Sequence, residues 1–250
     1  MTPRDDRSSS AGAAAPRSPP GPKRLLLVAL SLLATVLFLA LGIWQVERRA
    51  WKLDLIARVE ARLSAAPVPA PGRTDWPTNS RDADEYRRVT TSGRFLPGRA
   101  VRVMAVTEKG AGSWLLEPLV TGTGDTILIN RGFVPPDWPA PPGSGEGLAT
   151  VTGLLRMTEP GGGFLRSNDP SQDRWYSRDV AAIAAAKGLG PTAPYFIDAD
   201  ASGNRPGGPG GPVGGLTVVA FRNHHLIYAL TWFGLAGMAG YAAYRAWRER

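Results

Sequence analysis

Histidine and cysteine carry much of the metal and nucleophile chemistry open to a protein. This chain of 250 residues has two of the first, His224 and His225, and none of the second. The absence of thiols excludes disulfides, thiolate zinc or iron–sulfur sites, covalent haem attachment through Cys-x-x-Cys-His, and the thiol ligands of a copper carrier. Any imidazole chemistry is therefore confined to one dipeptide. No Gly-x-Ser-x-Gly elbow, Walker loop or His-Glu-x-x-His occurs. Asp82, Asp84 and Glu85 form an acidic cluster ahead of a strand, which reads as solvated surface and not as a pair of catalytic carboxylates. With no nucleophile motif and no histidine in its central region, the chain reads as a non-enzyme.

The elements that must position the two histidines are apolar. Leu226–Tyr244 follows them without a charge for 19 residues, its aromatic side chains toward both ends. Leu25–Val46 is a second uncharged run of 22 residues. At about 1.5 Å per residue it is long enough for a bilayer core. It ends in Ile43-Trp44-Gln45-Val46 and then Glu47-Arg48-Arg49, which fits a retained anchor better than a cleaved signal peptide. Two spans put both termini on one side. Basic residues before the first span (Arg17, Lys23, Arg24) and after the second (Arg245, Arg248, Arg250) make that side the cytoplasm, although Arg48, Arg49 and Lys52 argue the other way. The expectation is a multi-pass protein of the cell (plasma) membrane with its central domain extracytoplasmic. The net charge of +8 fits this reading, because residues 1–24 carry +3, residues 245–250 carry +2, and only +3 is left for the rest. A nucleic-acid partner thereby loses its support, and the lipid membrane is the partner the charges imply.

The resulting organisation is a disordered cytoplasmic tail (1–22), a first transmembrane helix (23–46), a domain (47–224), a second transmembrane helix (225–244) and a short cytoplasmic tail (245–250). Trp51, Leu55, Ile56, Val59 and Leu63 recur at helical spacing, so the first helix should continue outward until Pro67. Short runs rich in Val, Ile, Thr and Phe between Tyr86 and Met157 predict strands of a mostly antiparallel sheet or small barrel. Ser177 is a plausible N-cap for a short helix with Asp179 in its first turn and Gly188 as its stop. Tyr195-Phe196-Ile197 and Leu216–Ala220 read as two more strands, separated by a flexible glycine-rich linker. The fold class is an α+β membrane protein, with two terminal spans flanking a β-rich domain that holds a short helix.

On a helical wheel centred on His225, Tyr228, Ala229, Trp232, Ala236, Ala239, Gly240 and Ala243 fall within roughly 60°, and His224 lies about 100° away. One face of the second span thus has an imidazole at its outer end, two aromatics in the next turns and small residues deeper in. An imidazole nitrogen over an apolar, aromatic slot suits axial ligation of haem iron. The same spacing also describes a polar residue at a helix start with belt aromatics and a small-residue packing face.

Motifs decide between them. Leu41-Gly42-Ile43-Trp44-Gln45 with Arg48 and Lys52, Glu85-Tyr86-Arg87-Arg88-Val89 with Gly93 and Phe95, Asn130-Arg131-Gly132-Phe133-Val134-Pro135, and Asn223-His224-His225-Leu226-Ile227-Tyr228-Ala229-Leu230-Thr231-Trp232-Phe233 resemble, in order, the Surfeit locus protein 1 family. That resemblance implies an assembly factor for haem–copper cytochrome c oxidase, acting on subunit I when haem a is inserted, with bacterial members associated with haem a binding. Haem a synthase is a further partner of that kind. The family pattern Asn-x-His-Leu-x-Tyr-Ala-x-Thr-Trp selects His225 and leaves His224 as an alternate ligand in a variable position. His225 would ligate the haem a iron between the two spans, with Tyr228, Trp232 and Trp44 lining the ring, and Arg48 or Arg222 would pair with its propionates. Trp44 also fits a membrane belt and Arg48 a headgroup contact, and Asn130-Arg131-Gly132 fits a strand end with a tight turn. The competing reading is a non-catalytic scaffold for oxidase subunits that holds no haem.

Overall fold

The computed structural model of the chain describes residues 21–139, 147–163, 165–201, 211–217 and 223–248. Contacts divide it into a helical unit, Met1–Leu53 with Arg222–Arg250, and a sheet unit, Asp54–Phe221. In chain order the elements are α1 (Pro22–Ser64), β1 (Val68–Pro69), α2 (Arg81–Asp84), β2 (Arg88–Phe95), β3 (Val101–Thr107), β4 (Gly110–Thr121) and β5 (Thr126–Val134). There follow β6 (Ala149–Met157), α3 (Val180–Lys187), β7 (Thr192–Ala199) and α4 (His225–Arg248).

Two of these helices are long and apolar enough to cross a membrane, α1 with 43 residues and α4 with 24. α1 opens on Pro22, whose fixed φ suits the first helical position, and stops at Ser64 ahead of the Pro67, Pro69 and Pro71 series. The predicted extension past the apolar run is present, and Val59 is buried on it.

The strands form one sheet that closes on itself. Its order is β1-β2-β6-β7-β5-β4-β3, and β2 also pairs with β4, so β2, β6, β7, β5 and β4 make a ring. β5 and β7 run parallel in it, and its other neighbours are antiparallel. Alternating residues explain the two sides. Val89, Leu119, Ile129, Leu155 and Ile197 fill one cluster, while Leu116, Leu128 and Phe196 on the opposite face pack under Trp175 and the α3 residues Val180 and Ile183. The ring shuts where Gly93 faces Thr121. A Cβ there would lie 2.2 Å from the Val120 carbonyl oxygen, so the two strands meet only over a glycine.

Three sequence expectations change. Asp179, not Ser177, caps α3, because its carboxylate accepts from Ala182 N while the Ser177 hydroxyl accepts from Gly162 N and Asn168 Nδ2. Asn130-Arg131-Gly132 is no strand end: it lies inside β5, where Arg131 is the extra residue of a bulge opposite Leu115 and Leu116. Gly132 has φ +126° and abuts the Val213 carbonyl, so the backbone there requires glycine. Leu216 and Thr217 are not in a strand, and the rest of that predicted strand lies outside the described residues. So do most of the amino-terminal tail and of the glycine-rich linker, Arg222 and Arg250.

Of the acidic cluster, Asp82 is exposed as the sequence suggested, but the other two carboxylates are not. Asp84 and Glu85 are buried at the end of α2, a turn capped by the Ser80 hydroxyl. Asp84 accepts from Ser80 N at 3.0 Å and from Arg87 at 2.6 Å, and Glu85 accepts from Arg156 Nε at 2.9 Å and Met157 N at 3.0 Å. Arg156 also reaches Asp198 at 2.9 Å, and Asp198 takes further bonds from Asn130 at 2.7 Å, Thr217 at 2.9 Å and Arg178 at 3.2 Å. Burial alone would lower the Arg156 pKa, but Asp198 and Glu85 hold it above the ordinary arginine value. The network ties α2 to β5, β6 and β7, and each buried charge in it has an opposite partner.

Gly93→Ala should destabilise the protein by about 1–3 kcal/mol through overpacking at the ring closure. Gly122→Ala, where nothing lies within 4 Å of the new methyl, should be near neutral. Thermal unfolding of the two detergent-solubilised variants reads the difference. Burial alone would raise the Asp84 pKa, but the Ser80 amide, Arg87 and Asn79 outweigh it and hold it below the ordinary carboxylate value. A depressed folded-state pKa gives stability that is present above the unfolded pKa and lost as pH falls through the folded one. Asp84→Asn should therefore be less stable than the parent at about pH 7, and the gap should shrink toward about pH 2, as urea titrations at both would record.

Candidate functional site

In the helical unit the buried and half-buried residues fall in a regular series. On α1 they include Arg24, Val28, Ser31, Thr35, Phe38, Gly42, Gln45 and Arg49, and on α4 His225, Ala229, Trp232, Ala236, Ala239, Ala243 and Ala246. Steps of four and three alternate along both, a seven-residue repeat that keeps one stripe of each helix facing the other in a left-handed crossing. The pair is antiparallel. Arg24 near the start of α1 donates to the carbonyls of Ala246, at 2.5 Å, and Trp247 near the end of α4, while Gln45 meets His225 at the opposite end. Alanines on α4, with Ser31, Thr35 and Gly42 on α1, let the backbones approach closely. A Cβ on Gly42 would lie 2.5 Å from the Phe233 ring, so that aromatic occupies the space a side chain would need.

His225 sits half-buried at the first residue of α4, and its Nδ1 is 2.8 Å from Oε1 of Gln45, which is only 9% exposed. An amide oxygen cannot donate, so Nδ1 carries a ring proton, and in the neutral imidazole Nε2 keeps its lone pair. Nε2 has no hydrogen-bond partner among the described residues. The chemistry open to such a nitrogen is coordination of a metal or acceptance of a proton.

The other sequence-selected residues divide between the seam and its rim. Trp232 lies in the seam, stacked on Phe38 with centroids 5.6 Å apart, so at that depth the two helices are closed against each other by aromatic rings. Tyr228 and Trp44 are 55% and 53% exposed, and His224 and Arg48 are also exposed. The Arg48 guanidinium lies 4.0 Å above the Trp51 ring. On a wheel of 100° per residue, Trp44 and Arg48 fall to one flank of the α1 stripe. In an antiparallel pair of right-handed helices, His224 and Tyr228 fall to the same flank of α4. The sequence wheel joined Tyr228 and Trp232 to His225 as one face. The seven-residue seam separates them, because Tyr228 stands at the edge of the arc and Trp232 near its middle.

Gln45 was missed as a candidate. Its signal was present, since it is the only amide in the uncharged first run and lies seven residues beyond Phe38 and three beyond Gly42, on the repeat of the seam.

The sheet unit contains a cavity of about 340 Å³ lined by residues that include Pro69, Trp76, Thr90, Ser92, Thr121 and Asp125. Asp125 is engaged by Arg73, and the Tyr195 hydroxyl donates to Pro71 O at 2.6 Å beside it. Of the motifs singled out in the sequence, Glu85 and Asn130 belong to the Asp198 network, while Arg131 pairs with Glu117 at 2.8 Å and covers the Phe95 ring. Their charges are directed at one another.

A family model described as the SURF1 family matches residues 32–237, a stretch that contains both Gln45 and His225. Surfeit locus protein 1 of Homo sapiens is 38% identical over 82% of this chain and 72% of its own length. The Xenopus tropicalis protein of that name is 36% identical over 82% of this chain and 71% of its length. A SURF1-like protein of Monosiga brevicollis is 36% identical over 80% of each. With the match running through both long apolar helices and the sheet between them, this chain belongs to the SURF1 family.

Proposed function

We propose that the protein is a membrane-anchored assembly factor for haem–copper cytochrome c oxidase, and that His225 holds or orients haem a for insertion into subunit I. Family membership and the two apolar helices support the first part. The observation that carries the second is the His225 ring, tied at Nδ1 to Gln45 and left with a free lone pair on Nε2. In this reading α1 and α4 cross the plasma membrane with both termini cytoplasmic, and the sheet unit is extracytoplasmic.

The residues at the outer end of the helix pair fit a flat, apolar ring with acidic tails. His225 would hold a bound haem through its imidazole nitrogen. Tyr228 and Trp44 offer half-exposed aromatic surface on one flank, where a ring would lie against the pair, since the seam is closed by Phe38 and Trp232. Trp232, two turns further along α4, stacks on Phe38. Arg48, exposed on the same flank and ordered over Trp51, suits a propionate. His224, one residue away and exposed, is the alternate ligand. Handing haem a onward makes subunit I the partner, and receiving it makes haem a synthase another. The scaffold reading, in which oxidase subunits bind and no haem is held, rests on the same family membership.

Purification from cells that make haem a, followed by absorption spectroscopy, separates the two readings. The parent and His224→Ala should carry a Soret band that His225→Ala loses. A parent protein without haem would leave the scaffold reading.

A further inference from the structure

We propose that Gln45 is a positioning residue for His225, its side-chain carbonyl fixing the imidazole in the tautomer that protonates Nδ1 and presents Nε2. This rests on the reading of His225 as the haem ligand and adds the residue that sets its ligand strength.

Gln45 is almost wholly buried in a helical run that has no charge from Leu25 to Val46. A buried amide in an apolar segment is costly unless it is paired, so its position near the end of the seam calls for a partner. That partner comes from the other helix, 180 residues away in the chain, at 2.8 Å. The other α4 residues of the seam, among them Ala229, Trp232, Ala236, Ala239 and Ala243, carry no hydrogen-bonding group except the Trp232 indole, so the bond to Gln45 is a polar lock at that end of the pair. Ligating imidazoles ordinarily donate their second N–H to an acceptor, which fixes the tautomer and ring orientation and raises ligand basicity.

The chemical type of the acceptor matters. A carboxylate would draw the proton strongly and push the ring toward imidazolate, a firmer iron ligand, and would also bury a charge among apolar side chains. An uncharged amide orients the ring and leaves it a neutral imidazole. Such a ligand holds iron less tightly, which suits a protein that passes its haem on.

Because the chain has two histidines, His224→Ala leaves His225 as the sole imidazole, and ¹⁵N-histidine NMR of the full chain in lipid nanodiscs reads its tautomer directly, without haem. With Gln45 present the ring should be the Nδ1–H tautomer. Gln45→Met, similar in volume and unable to accept, should give a mixture or the Nε2–H form. Gln45→Glu keeps an acceptor of the same reach and should retain Nδ1–H, and it should lower the reduction potential of bound haem. Haem affinity should fall about 10- to 100-fold in Gln45→Met, the range for loss of an outer-shell partner. The proposal is overturned by an Nε2–H ring in the presence of Gln45, by an unchanged Nδ1–H ring in Gln45→Met, or by unchanged haem affinity once the tautomer has shifted. If Gln45→Met does not fold, an unshifted potential in Gln45→Glu overturns it equally. A parent protein that binds no haem, with the tautomer effect intact, overturns the ligand reading and reduces Gln45 to a lock between helices.

Discussion

An amide and an imidazole in an apolar helix pair have few ways to satisfy their polar atoms, and in this protein they satisfy each other. The bond between Gln45 and His225 fixes the register of α1 against α4 at one end, as the Arg24 contacts to Ala246 and Trp247 do at the other. Between these two polar locks the seam is held by shape. Alanines and Gly42 set the closeness of approach, and Phe38, Trp232 and Phe233 fill what remains. A shift by one residue on either helix would rotate the small stripe away and strand two polar groups in an apolar surrounding. The histidine that could do chemistry is thus held by the interaction that aligns the helices.

The sheet unit follows a comparable rule. Its ring of strands closes over Gly93, and its buried carboxylates are held by arginines, with Asp198 receiving bonds from Asn130, Thr217, Arg156 and Arg178. Removing one member would leave an opposite charge buried and unpaired, which is why networks of this kind act all together or not at all. The family motifs in this unit, around Glu85 and Asn130, are accounted for by that requirement and by the bulge at Gly132. They orient backbone and neutralise charge.

Much of this was legible in the residues. Uncharged runs of the right length gave both long helices, the alternating Val, Ile and Thr segments gave the sheet, and helical spacing singled out the face of α4 that carries His225. The places that misled are ones where a side chain is engaged by partners that a linear reading does not supply. Glu85 looks like surface in a linear reading because its partners, Arg156 and Met157, come from a strand about 70 residues on, while Asp84 is drawn in by Ser80 N, Asn79 and Arg87 close by in the chain. Ser177 lost the cap of α3 to Asp179 because its hydroxyl was engaged by Gly162 and Asn168. Tyr228 shared a wheel with His225 and yet stands on the rim, since the wheel of one helix does not say where its partner lies.

The sequence by itself determined which chemistry was possible. With no cysteine and two adjacent histidines, any imidazole function had to sit at the head of α4, and the flanking apolar run set the surroundings in which it would act. Hydrophobic length and local periodicity are properties of contiguous residues, so they can be read without a fold. Only the tertiary structure decided which nitrogen of His225 is available, because that depends on an acceptor 180 residues distant, and it likewise decided that the strands close into a ring and that Phe38 stacks on Trp232 across the seam. These are pairings between distant segments, fixed by packing and by the need to satisfy buried polar groups, and a single chain read in order does not contain them.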